Sequence, residues 1–195
     1  MGARTGERKT QILHTLAQML ESPAAERITT AALAARLDVS EAALYRHFTS
    51  KAQMFEGLID FIESSLFGLM NRITSEEKSG VRQIEAIVGV LLGFAQKNRG
   101  MTRVLIGDAL VTEDERLQSR INQVHDRIEA ALKQALRFGV TQKELIAELD
   151  VAAQANLLMS FVTGRWHQFA KSGFKRDPVE LWGKQWRQLL EGVMA

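Results

Sequence analysis

Apolar residues recur along this chain at spacings of three and four, and no segment shows the sustained apolar–polar alternation of a half-buried strand. The pattern predicts an all-α protein of about nine helices. A first helix is predicted over residues 7–21, with Ile12, Leu13, Leu16, Ala17 and Leu20 on one face and Ser22-Pro23 ending it. A long helix follows a candidate cap at Ser50. It carries Met54, Leu58, Ile62, Ser65, Leu69 and Ile73 inward and fades over residues 74–80. The next, over residues 81–98, turns Ile84, Ile87, Val88, Leu91 and Ala95 inward and stops at Asn98-Arg99-Gly100. Further helices are predicted over residues 102–110, 113–139 and 150–171. The one over residues 113–139 has a stripe of Leu117, Ile121, Val124, Ile128, Ala131 and Ala135. Asp177-Pro178, a cap followed by proline at the first helical position, opens the last helix.

Between the first helix and Ser50 the pattern changes to two short helices joined by a tight turn. Thr30 is a candidate cap, since its hydroxyl can accept from a first-turn N–H, and residues 31–37 are nearly all strong helix formers. Asp38 and Val39 interrupt them. Ser40 is a second cap, with Glu41 where a helix N-terminus favours negative charge. Leu33, Leu37, Val39, Leu44 and Phe48 form the apolar set that closes the unit. This order predicts a helix-turn-helix whose second helix is presented rather than buried. Small side chains let such a helix enter a major groove with its first residues at the base edges. The candidate DNA-binding residues are Thr29, Thr30, Ser40, Glu41, Ala42, Ala43, Tyr45, Arg46, His47 and Lys51. Tyr45 and Lys51 suit phosphate, which fixes register rather than sequence. A plain helical hairpin is the alternative.

Charge adds little to this picture. The formal net charge is +2, and residues 1–55 carry seven basic against five acidic side chains, so sequence-specific binding by a dimer fits better than non-specific coating of DNA. The chain has no cysteine, which excludes disulfides and thiolate metal sites and suits a reducing cytoplasm. No stretch approaches the ~20 apolar residues of a membrane span, and the first residues lack the apolar core of a signal peptide. Residues 1–50 are expected to form the DNA-binding unit and residues 51–195 a helical domain for dimerisation and partner binding.

Two surfaces in that helical domain invite partners. Leu158, Val162 and Trp166 on one predicted helix and Trp182, Trp186 and Leu189 on the last are expected to build a dimer bundle, two helices from each chain. An internal core helix pair is the alternative. Two-fold symmetry spaces the recognition helices about 34–36 Å apart and implies a palindromic target. Gly89 and Gly93, one turn apart, mark close helix packing or an open groove. Lys97, Asn98 and Arg99 form a polar, basic rim which, with Phe61 and Phe67, could receive an extended peptide bearing acidic and apolar side chains. No catalytic constellation accompanies these features. There is no glycine-rich phosphate loop, no His-Glu-x-x-His and no Gly-x-Ser-x-Gly, so neither an enzyme, a cofactor nor a metal is expected.

Residues 10–55 resemble the N-terminal domain of the TetR family of bacterial regulators, through Ile28-Thr29-Thr30, Leu33-Ala34, Val39-Ser40, Leu44-Tyr45-Arg46-His47-Phe48 and Lys51. Leu91-Leu92-Gly93-Phe94, Asn98, Thr102-Arg103, Arg116-Leu117-Gln118, Arg120-Ile121-Asn122-Gln123 and Arg127-Ile128-Glu129-Ala130 are similar to the nucleoid occlusion factors of that fold. The resemblance implies a cytoplasmic, nucleoid-associated homodimer that binds palindromic chromosomal sites, several dimers to a site being possible. It also implies binding of the C-terminal tail of the tubulin-like division protein FtsZ, which blocks Z-ring assembly over the nucleoid. The tail would lie between the long helix and the one after it, at Phe61, Gly93, Lys97 and Asn98. A basic residue expected nearby is Leu69 here. The other readings are a ligand-released repressor with a closed apolar pocket, a helical enzyme, and an interaction scaffold without DNA.

Overall fold

The computed structural model describes residues 2–22 and 28–195, with side chains from residue 6 onward; Pro23 and Arg27 lie outside the described residues. Among the described residues the fold is all-helical: α1 (Gly2–Leu20), α2 (Thr30–Arg36), α3 (Glu41–Tyr45), α4 (Lys51–Glu76), α5 (Gly80–Lys97), α6 (Arg99–Leu105), α7 (Glu115–Thr141), α8 (Val151–Lys171) and α9 (Trp182–Leu190). They divide into two compact units, one of residues 1–62 and 98–121, the other of residues 63–97 and 122–195. The first unit therefore extends past residue 50 and takes in α6, because the chain returns to α1 after α5.

In the first unit, α1 buries Ile12, Leu16, Ala17 and Leu20, the face its periodicity predicts. α6 packs on that helix. A Cβ at Gly100 would lie 1.9 Å from the Ala17 carbonyl oxygen, so only glycine permits this approach. Arg103 then donates to the Leu20 and Ser22 carbonyls (3.4 and 2.9 Å), satisfying oxygens at the end of α1, and is itself held by Asp108 at 2.8 Å. Asn98-Arg99-Gly100 thus ends one helix and opens the next, rather than only stopping the first. Ser50 caps α4 as expected, accepting from the Gln53 N–H at 3.1 Å, while Gln53 reaches back to the Thr49 N–H at 2.6 Å.

In the second unit, Ile84, Ile87, Val88, Leu91 and Ala95 of α5 are fully buried. Val124, Ile128, Leu132 and Ala135 of α7 are also fully buried. Leu132 replaces the expected Ala131. On α4 the buried row continues from Ile62 in steps of four through Leu66 and Met70, so Ser65 and Leu69 leave the core. Apolar residues flank both rows there, and period alone does not choose between them. The close helix approach lies at Gly80, where a Cβ would fall 2.3 Å from the Gly139 nitrogen. It does not lie at Gly89 or Gly93: a Cβ at Gly89 would make an ordinary 3.5 Å contact with Trp182, and one at Gly93 would meet nothing within 4 Å.

Candidate nucleic-acid interface and partner surfaces

The helix-turn-helix is built by two caps and one left-handed residue. Thr29, not Thr30, caps α2: its hydroxyl oxygen accepts from the Ala32 N–H at 3.1 Å, and Thr30 is the first helical residue. Ser40 caps α3 and accepts from the Ala43 N–H at 3.3 Å. Asp38 turns the chain at φ 53°, a conformation aspartate tolerates better than most side chains. The Val39 N–H then bonds back to the Ala34 carbonyl at 3.0 Å. The Thr30 hydroxyl donates to the Glu41 carboxylate at 2.5 Å and ties the start of α2 to the start of α3. Leu33, Ala34, Leu44 and Phe48 are buried beneath, while Leu37 and Val39 are half-buried.

What remains outward is the face expected to meet DNA. Thr29, Ser40, Glu41, Ala42, Tyr45 and Arg46 are exposed, and Thr30, Ala43 and His47 are half-buried. The alanines leave the start of α3 narrow. His47 Nδ1 is buried, with no hydrogen-bond partner. That places this atom toward the fold rather than toward a base.

Lys51, expected to suit phosphate, already has a protein partner. Its ammonium lies 2.5 Å from Glu113 Oε1 and 5.7 Å from the Phe55 ring centre, with 21% of the side chain exposed. It is a paired cation at the N-terminus of α4, not an open arm. Glu113 also departs from expectation, because α7 begins after it. Asp114 does the capping, accepting from the Arg116 N–H at 3.0 Å and from the guanidinium at 3.0 and 2.8 Å. Those Arg116 hydrogen bonds hold the Asp114 carboxyl down at about 2.

The four residues expected to hold a tail peptide divide between the two units: Phe61 and Asn98 in the first, Gly93 and Lys97 in the second. Phe61 is 48% exposed and Asn98 half-buried. Gly93 and Lys97 lie one turn apart on α5, Gly93 opening the surface and Lys97 exposed. Leu69 is exposed as well. Phe67 is half-buried beneath the Arg127 guanidinium, 3.9 Å from its ring centre, and Arg127 also pairs with Glu63 at 2.6 Å.

Four of the six expected dimer residues, Leu158, Val162, Trp166 and Trp186, require correction. Leu158, Val162 and Trp166 are 0% exposed within the single chain, so they are core and cannot meet a second copy. Trp166 donates its indole N–H to the Leu91 carbonyl at 3.0 Å and lies 5.8 Å from the His125 ring. Trp186 is buried too. The outer apolar side chains of α8 and its successors are Leu157 and Leu181, exposed, with Phe161, Trp182 and Leu189 half-buried. Phe161 and Trp182 form a ring pair 5.8 Å apart. Apolar periodicity identifies a helix's inward face but cannot say whether a core or a partner covers it.

Two cavities of the second unit bear on the ligand-sensing reading. One, of about 270 Å³, is lined by Thr74, Glu77, Lys78, Gln83, Gln134 and Phe138. The other, of about 410 Å³, is lined by His167, Gln168, Lys171, Ser172 and Arg176. Every lining residue but Phe138 carries a polar or charged group at the end of its side chain. Among the described residues there is no cluster of three His, Asp or Glu side chains suited to a metal, and no helix is long and apolar enough to cross a membrane.

Comparison with known proteins agrees with this architecture. Residues 12–58 match the family of bacterial regulatory proteins of the TetR type. Residues 78–193 match the SlmA-like family described as a tetracyclin repressor-like C-terminal domain. A nucleoid occlusion factor SlmA from Marinomonas sp. is 52% identical over 194 residues, 100% of this chain and 98% of the relative. One from Idiomarina loihiensis is 48% identical over 195 residues, the whole of both chains. The crystal structure of the TetR-family regulator PfmR from Thermus thermophilus superposes with a TM-score of 0.78 at 22% identity, over 93% of this chain and 97% of that one. At that identity the likeness shows the fold.

Proposed function

The chain belongs to the SlmA family of TetR-fold regulators, and we propose that it is a nucleoid occlusion factor: a homodimer that binds palindromic chromosomal sites and, from them, binds FtsZ and keeps the Z-ring off the nucleoid. The observation that carries the DNA half is the capped α3, whose inner residue Leu44 is core while Ser40, Glu41, Ala42 and Tyr45 face outward. Tyr45 and Arg46 flank this face for phosphate, and the small side chains admit α3 to the groove. The outer residues Leu157, Phe161, Leu181, Trp182 and Leu189 supply the pairing surface.

The FtsZ half is supported by α5. Gly93 leaves room for a peptide backbone and Lys97, one turn on, supplies a positive charge for acidic side chains. The site of action is the cytoplasm, on the nucleoid. The test is Lys97→Glu, with tail-peptide and duplex affinities measured side by side. Reversing one charge should weaken the tail by about tenfold and leave duplex binding unchanged. Equal loss of both affinities, or an undiminished tail affinity, would remove Lys97 from the site.

A further inference from the structure

We propose that Glu113 is a built-in counter-ion for Lys51 and thereby sets how strongly this protein holds DNA. This rests on the DNA-binding reading of α3 and goes beyond it. Lys51 is the first residue of α4, immediately after the Ser50 cap and six residues beyond the end of α3. A lysine there suits a phosphate, yet its ammonium already faces the Glu113 carboxylate at 2.5 Å. The pair is sheltered, with only 21% of the lysine and 10% of the glutamate side chain exposed. Water therefore screens it less than a surface pair.

The Lys51–Glu113 unit presents close to no net charge to a duplex. Moving the ammonium to a phosphate also leaves a sheltered carboxylate without its partner, which opposes binding. Glu113 thus lowers duplex affinity by cancelling the Lys51 charge, without itself contacting DNA. It lies sixty-two residues from Lys51 along the chain, on the segment between α6 and α7. Asp114 and Arg116 fix that segment independently, so removing the Glu113 charge leaves the start of α7 capped.

The experiment measures duplex affinity against salt for the full chain, using the tightest duplex that the wild type selects from a random-sequence library. Glu113→Gln should bind about threefold or more tighter at low salt, with a log–log salt slope steeper by about 0.9 per protomer. Lys51→Gln should bind more weakly with a shallower slope, and Lys51→Gln/Glu113→Gln should fall between the two single variants. Unchanged or weaker binding by a folded Glu113→Gln, with the wild-type slope, overturns the proposal and makes Glu113 a structural brace. If melting shows Glu113→Gln unfolded, the double variant is compared with Lys51→Gln alone. Tighter binding by the double variant supports the proposal, and equal binding overturns it. A wild type that selects no duplex instead overturns the DNA reading beneath it.

Discussion

Trp166→Ala is expected to unfold the second unit rather than to dissociate a dimer of folded chains. The side chain is the largest fully buried one in the described fold, and its indole N–H satisfies the Leu91 carbonyl on α5. Truncation removes the packing, leaves a cavity and strands that carbonyl, a loss of about 3–5 kcal/mol. That is a large share of the stability of an ordinary domain. The check is denaturant unfolding followed by circular dichroism, with sedimentation under native conditions. Trp182→Ala supplies the contrast, because Trp182 is half-buried on the outer side with Phe161. It should keep the fold and weaken pairing. A folded, monomeric Trp166→Ala would return Trp166 to the dimer interface.

Ala42→Glu is expected to abolish specific DNA binding with the fold intact. Ala42 is exposed in the first turn of α3, where a glutamate is tolerated by the helix and favoured by its dipole. On the DNA-facing side the same carboxylate enters a field of phosphates. Like-charge juxtaposition of this kind costs about 3 kcal/mol, so each recognition helix should lose roughly a hundredfold in affinity. Electrophoretic mobility shift against the selected duplex and a thermal melt decide it. Retained affinity would mean that α3 does not enter the groove.

The helix-turn-helix was legible in sequence because its determinants are local. Capping hydroxyls, a run of alanines and one residue suited to a left-handed turn act over a few positions. The error there was a single residue, Thr30 for Thr29, in a pair of threonines either of which can cap. Elements held by distant contacts were not legible. Gly100 reads as a stop signal until α1 is seen against it. Lys51 reads as an open cation until Glu113 is placed beside it. Leu158, Val162 and Trp166 have the spacing of an interface and of a core alike, and only the packing of α5 against α8 distinguishes them. The α5 surface was half legible: the two glycines left close packing and an open groove as alternatives, and only the surroundings of Gly93 select the second.

The central claim is that DNA binding and FtsZ binding are coupled in one molecule. It is tested most directly by the affinity of a labelled FtsZ C-terminal tail peptide for the protein, measured by fluorescence anisotropy with and without saturating selected duplex. The expected result is tail binding about tenfold tighter on the duplex, within the usual range for coupled sites. No tail binding in either state, together with release of the duplex by a small metabolite, would contradict it and make this chain a ligand-responsive repressor.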